Sequence, residues 1–91
     1  MSDDTKAKLR TKHNVEPDEV TQCFFNRKKG FLSDTREEHK TEPPTQWFVA
    51  CTDKQRQLKV VFIRTSRTEI EIKTAYEPNV YEVMIYNKIA Q

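Results

Sequence analysis

Apolar and polar residues alternate through residues 45–76, TQWFVACTDKQRQLKVVFIRTSRTEIEIKTAY, with the period of two that belongs to strands burying one side. Three segments, residues 46–51, 58–64 and 68–76, are rich in β-branched and aromatic residues, and polar linkers of turn-forming length separate them. The pattern predicts an antiparallel meander. A hairpin fixes which residues oppose one another. Folding the first about Lys54 and Gln55 sets Trp47 against Phe62, Val49 against Val60 and Cys51 against Leu58. Folding the second about Ser66 sets Phe62 against Ile70, Val60 against Ile72 and Leu58 against Thr74. The predicted core face is therefore Trp47, Val49, Cys51, Leu58, Val60, Phe62, Ile70 and Ile72. Phe48, Ala50, Lys59, Val61, Ile63, Glu69, Glu71, Lys73 and Ala75 take the other face, where Lys59 lies directly across from Lys73. Opposed like charges cost a few tenths of a kcal/mol, so this pair is either solvated or waiting for an anion.

The flanks carry a helical period instead. Residues 3–13 form a short helix with Leu9 as its only large apolar residue, either frayed or docked on one side. Val15-Glu16-Pro17-Asp18-Glu19-Val20 is a stronger start signal, because Pro17 suits the first helical position, the two acids suit the positive end of the dipole, and Val15 can staple to Val20. That helix buries Val20, Cys23 and Phe24, and Gly30, the only glycine, marks the turn after it. Phe31-Leu32-Ser33-Asp34 can add a short strand, and Pro43-Pro44 ends regular structure. After the meander, Glu77-Pro78-Asn79 starts a C-terminal helix. Val80, Val83, Met84 and Tyr86 are expected to cover the sheet, while Tyr81, Ile85 and Ile89 are left for the N-terminal helices, a second protein or an oligomer contact. The expected architecture is one α+β domain over residues 1–91, with two N-terminal helices, a three- to four-stranded antiparallel meander and a C-terminal helix.

Composition narrows the partners. Ninety-one residues suffice for one core and not two. Only 35% are hydrophobic and 33% are charged, yet one Trp, three Tyr and five Phe argue for a folded chain. The net charge of +2 does not by itself announce nucleic-acid binding. The charge is segregated, however, with cations at residues 6–13, 27–29 and along the meander, which favours a strongly charged partner. No apolar run approaches a membrane span and the N-terminus has no signal-like apolar stretch, so a cytoplasmic protein without membrane contact is expected. Cys23 and Cys51 read as buried reduced thiols. Two Cys and two His at these spacings match no ligand pattern, and neither a metal nor another cofactor is expected.

Glycine-rich phosphate loops, GxSxG and HExxH are all absent. Feasible chemistry is metal-free cleavage of an RNA phosphodiester by its own 2′-hydroxyl, which needs proton exchange and cations around the phosphate. His39 and Tyr76 are the candidates for proton exchange and Lys73 for a catalytic cation. Arg36, Arg56, Lys59 and Arg64 are the candidates for holding RNA. His39 and Arg36 belong to the charged stretch Asp34-Thr35-Arg36-Glu37-Glu38-His39-Lys40, which serves equally well as a solvated loop. A protein-binding module without catalysis, gripping its partner through the sheet or the last helix, is the competing reading of the same fold.

The order KHNVEPDEV, DTREEH, WFVACTDKQRQLKVVFIR and EIEIKTAYEP before a terminal helix resembles the BrnT family of small bacterial toxins over about residues 10–90. Lys12-His13 is similar to the family's KHG, with Asn14 at the glycine. Arg56 before Leu58-Lys59-Val60-Val61 is similar to a GR-LxVV segment, with Gln55 at the glycine. Lys73-Thr74-Ala75-Tyr76 is similar to an R-x-S-A-R stretch, with Tyr76 where an arginine is usual. The resemblance implies a RelE-like fold, a metal-independent ribonuclease acting on RNA, and a cognate antitoxin protein. Similar small proteins are often labelled ADP-ribosyl-(dinitrogen reductase) hydrolase, but a chain this short without clustered metal-binding aspartates cannot build that site.

Overall fold

The computed structural model describes residues 1–34 and 44–90. Along the chain come α1 (Asp3–His13), α2 (Pro17–Asn26), β1 (Leu32–Ser33), β2 (Thr45–Cys51), β3 (Gln57–Arg64), β4 (Ile70–Tyr76) and α3 (Val80–Ile89). The four strands form one antiparallel sheet in the order β1-β2-β3-β4. The molecule is thus an α+β domain with two helices before its meander and one after it.

Local sequence explains the helix ends. Ser2 caps α1 by accepting from the Thr5 N–H, Pro17 opens α2 behind a capping box of Glu16 and Glu19, and Asn79 with Glu82 forms the same device at α3. Although polar over most of its surface, α1 is docked through fully buried Leu9. Val15 and Val20 staple the entry to α2 as expected, both buried. The core lies between α1, α2 and one face of the sheet. Leu9, Val15, Val20 and Cys23 meet Phe48, Leu58, Val60, Phe62, Ile72 and Ala75 there, and the rings of Phe24, Phe31, Phe48 and Phe62 pack edge to face or tilted at 4.7–6.2 Å.

The register departs from the expected one in a specific way. Gln46 faces Phe62, Phe48 faces Val60 and Ala50 faces Leu58, a slip of one residue that turns the whole of β2 over. Phe48 and Ala50 are buried in the core in place of Trp47 and Cys51. The cause is the loop. Thr52 N–H bonds to Arg56 O and Gln55 N–H to Thr52 O, enclosing three residues, Asp53-Lys54-Gln55, with Gln55 in the left-handed region at φ 69°. An odd loop reverses the parity that an even one implies.

The second hairpin closes with Thr65 and Ser66 N–H both on Glu69 O, so Arg64 faces Ile70 and Phe62 faces Ile72. Between Val61 and Phe62 the ladder then shifts, because Val61 faces Thr74. Lys73 is the extra residue of this bulge. Beyond it the faces exchange: Ala75 enters the core opposite Val60, and Tyr76 lies across from Lys59. The expected Lys59–Lys73 pair is not formed. Lys73 reaches Glu71 at 3.9 Å on the exposed edge instead.

Asn14 and Gln55 are the non-glycine residues with positive φ among those described. A side chain there costs about 1–2 kcal/mol, least for Asn. Gln55→Gly is therefore expected to raise stability by about 0.5–1 kcal/mol after glycine's own entropic cost, read as a higher urea midpoint, with Asn14→Gly giving less. A fall at position 55 would contradict the three-residue loop.

Candidate functional site

The one-residue slip and the bulge together move Trp47 and Tyr76 onto the sheet face opposite the main core, beside Lys59, where α3 crosses them. Tyr86 anchors that helix, its ring 5.8 Å from Trp47 and its hydroxyl donating to Gly30 O at 2.8 Å. Lys29 Nζ holds the same end, donating to Asn87 O at 2.8 Å, where a cation suits the helix C-terminus.

Between sheet and helix, Lys59 Nζ donates to Glu82 Oε2 at 2.6 Å, and the Tyr76 hydroxyl donates to the same oxygen at 2.8 Å. The ammonium also sits 4.5 Å from the centroid of Trp47 and 5.7 Å from that of Tyr76, within cation–π range. The second Glu82 oxygen accepts from Asn79 N–H. The Lys59 and Glu82 side chains are 11% and 19% exposed, so neither charge survives comfortably without the other. Burial raises the Glu82 pKa, but hydrogen bonds from Lys59, Asn79 N–H and Tyr76 outweigh it and leave the carboxyl below its usual value. Burial, then the bond to Glu82, pushes Tyr76 up. Tyr76 thus keeps its proton at neutral pH and is a donor. The His13 ring stacks at a tilt 5.7 Å from it. Beside this cluster opens a groove of about 560 Å³ lined by Leu32, Trp47, Lys59, Glu82, Ile85 and Ile89, among others.

Of the residues nominated from sequence, Lys59 and Tyr76 are brought together. Arg56 is engaged elsewhere: its guanidinium donates to Glu19 Oε1 and Oε2 at 3.1 Å, Glu77 Oε2 at 3.1 Å, Asn14 O at 2.7 Å and His13 O at 3.2 Å. It ties the end of α1, the start of α2 and the exit of β4 to the first hairpin. Arg64, five residues beyond Lys59 on β3, lies about 16 Å along the strand from it, and Lys73 is displaced onto the bulge. His39 and Arg36 lie outside the described residues. Cys23 is buried, with its thiol pushed up to about 12 by desolvation first, and donates to Ala50 O at 3.6 Å. It is inert at neutral pH. Cys51, also free, is half-buried on the other face.

Sequence reading missed Glu82, the hub of the cluster. Its signal was present, since Asn79-x-x-Glu82 is a capping-box pattern that fixes an acid at the third helical position. Trp47 was assigned to the core and belongs here.

Among the described residues, no three His, Cys, Asp or Glu side chains gather where they could hold a metal ion, and no helix is long and apolar enough to cross a membrane. Comparison with protein families, curated proteins and solved structures finds no match for this chain.

Proposed function

We propose that this chain is a BrnT-like ribonuclease toxin of a toxin–antitoxin pair, cutting RNA without a metal. One observation carries the reading: the two positions at which its motifs replace a BrnT-family glycine, Asn14 in KHN and Gln55 in QR-LKVV, are the two non-glycine residues at positive φ among the described residues. A short motif matched by chance has no reason to set its glycine positions at the backbone's left-handed turns. The element order, with a sheet between two leading helices and one trailing helix, agrees with the RelE-like fold that the resemblance implies.

In the proposed reaction the 2′-oxygen bonds to phosphorus and the P–O5′ bond breaks, leaving a 2′,3′-cyclic phosphate and a 5′-hydroxyl. Tyr76, protonated and beside the Lys59 ammonium, supplies the proton to the departing oxygen, while His39 takes the one from the 2′-hydroxyl. Purified protein incubated with RNA in excess EDTA is expected to yield cyclic-phosphate ends, with Tyr76→Phe and His39→Ala each slowing cleavage at least about 100-fold. Intact RNA, together with unimpaired growth of bacteria expressing the chain alone, overturns the proposal.

A second reading, a protein-binding module without catalysis, is favoured by the engagement of Arg56 with Glu19 and Glu77 and of Lys59 with Glu82, which takes two candidate phosphate ligands out of play. Its mark would be a stable protein complex from a chain that cleaves no RNA.

A further inference from the structure

The end of the sheet nearest the first hairpin carries polar side chains that the fold does not use. A groove of about 500 Å³ opens there between that hairpin, the α2–β1 connection and the C-terminal end of α3. Its floor is the outer face of the sheet, where Val49 and half-buried Cys51 lie beside Gln57, the ladder partner of Cys51. Side chains that bond across elements fix its walls. Asn26 donates to Cys51 O and to Asp53 Oδ1, each at 3.0 Å, Gln22 accepts from Asp53 N–H at 3.0 Å, and Lys29 donates to Asn87 O at 2.8 Å.

Lys28, Gln55 and Gln57 also line the groove, and their side chains have no partner among the described residues. Gln55 is the most telling of the three. It holds the left-handed conformation at φ 69°, where glycine would sit without strain, so its side chain is retained against the preference of the backbone. What would satisfy the three together follows from their chemistry. A carboxamide carries a donor and an acceptor in one plane, which matches the edge of a nucleobase. The Lys28 ammonium, with the two protons that Lys29 has left, suits a phosphate. The Val49–Cys51 floor takes the flat face of the base. Asp53 lies in the same groove and repels an anion, which sets the phosphate toward the lysines and an amino group of the base toward the carboxylate. A bare anion would leave both amides unused.

We infer that this groove binds a nucleoside monophosphate, free or as one unit of an RNA strand, with its phosphate on Lys28 and Lys29 and its base edge on Gln55 and Gln57. The volume is that of an ordinary small-ligand site. Binding here stands apart from the proposed reaction, since neither Lys59 nor Tyr76 lines the groove. A chain that cuts no RNA would still show it.

Isothermal titration calorimetry of the full chain with AMP tests the inference, with inorganic phosphate, adenosine and a 2′-O-methylated adenosine trinucleotide as comparison probes. AMP is expected to bind with a dissociation constant on the order of 100 µM, and phosphate and adenosine each at least about 10-fold more weakly. A trinucleotide tighter than AMP assigns the groove to an RNA strand, whereas one no tighter assigns it to the free nucleotide. Lys28→Glu and Gln57→Ala, both at exposed positions, are expected to weaken the binding about 10-fold. Gln55→Gly, expected above to stabilise the fold, should weaken it by a similar factor, so that a lost affinity there is not a lost fold. Absence of binding by both AMP and the trinucleotide at about 5 mM overturns the site. Phosphate binding as tightly as AMP, or an affinity unmoved by these substitutions, overturns it too.

Discussion

Arg56→Ala is expected to lower the stability of the domain by about 3 kcal/mol, the largest loss from any single charged side chain. Its contacts are not of equal worth. Glu77 is 65% exposed and its bridge is screened, contributing at most a few tenths of a kcal/mol. Glu19 is 24% exposed and receives two bonds from one Nη. The carbonyls of His13 and Asn14 end α1 at a residue already in the left-handed region. Truncation leaves those carbonyls without their donor and Glu19 without its cation, and the loss is dominated by what is left unpaired. Burial acts against the guanidinium's charge, but its bonds to Glu77 and Glu19 prevail and raise its pKa, so it is charged at every working pH. Arg56→Lys keeps the charge and loses the fork, and is expected to cost about 2 kcal/mol. For a domain of this size the urea slope is about 1 kcal/mol/M, so the midpoint should fall by roughly 3 M in Arg56→Ala and 2 M in Arg56→Lys. A variant that unfolds like the wild type while losing RNA affinity would instead return Arg56 to the role of phosphate ligand.

The fold was legible because its punctuation is chemical. Pro17, Asn79 and the Val15–Val20 staple mark helix starts with residue types that have a physical reason to be there, and alternation through residues 45–76 marks strands whatever their register. Which face each strand buries was not legible, because parity hangs on a single residue. The Asp53-Lys54-Gln55 loop turns in the left-handed region with a glutamine, so no glycine announces an odd loop. Trp47 and Phe48, both aromatic, fit the core equally well. The bulge at Lys73 is likewise unmarked by glycine, and it reversed Tyr76 from the core face onto that of Lys59. Two hidden one-residue shifts thus dissolved the expected lysine pair and built a cluster of Lys59, Tyr76, Trp47 and Glu82 in its place. The same reversal explains α3. Trp47 on the outer face gives Tyr86 something to pack on, while Val80 and Met84, expected on the sheet, point away from it.

Glu82→Gln is expected to cost about 2–3 kcal/mol at pH 7, because it leaves the Lys59 ammonium nearly buried without an anion. The glutamine amide still completes the capping box with Asn79 and still accepts from Tyr76, so the substitution isolates the charge. The pH dependence follows from the depressed carboxyl. Unfolded, the group titrates near its ordinary value of 4.5, whereas folded it holds its charge to lower pH. Its contribution is therefore complete above about pH 4.5 and is lost as pH falls through the folded value, since the unfolded chain takes up the proton first. The gap between wild type and Glu82→Gln should be constant from pH 8 to pH 5.5 and narrow as pH falls below about 4.5, where the unfolded chain takes up the proton before the folded one does. Lys59→Met removes the cation that the carboxylate compensates, and in that background Glu82→Gln should cost under about 1 kcal/mol. Urea titrations of the four proteins across that pH range measure both effects. A gap that persists unchanged at pH 3, or a full cost in the Lys59→Met background, would mean that Glu82 stabilises α3 through its cap alone and that Lys59 and Tyr76 are not held by a shared carboxylate.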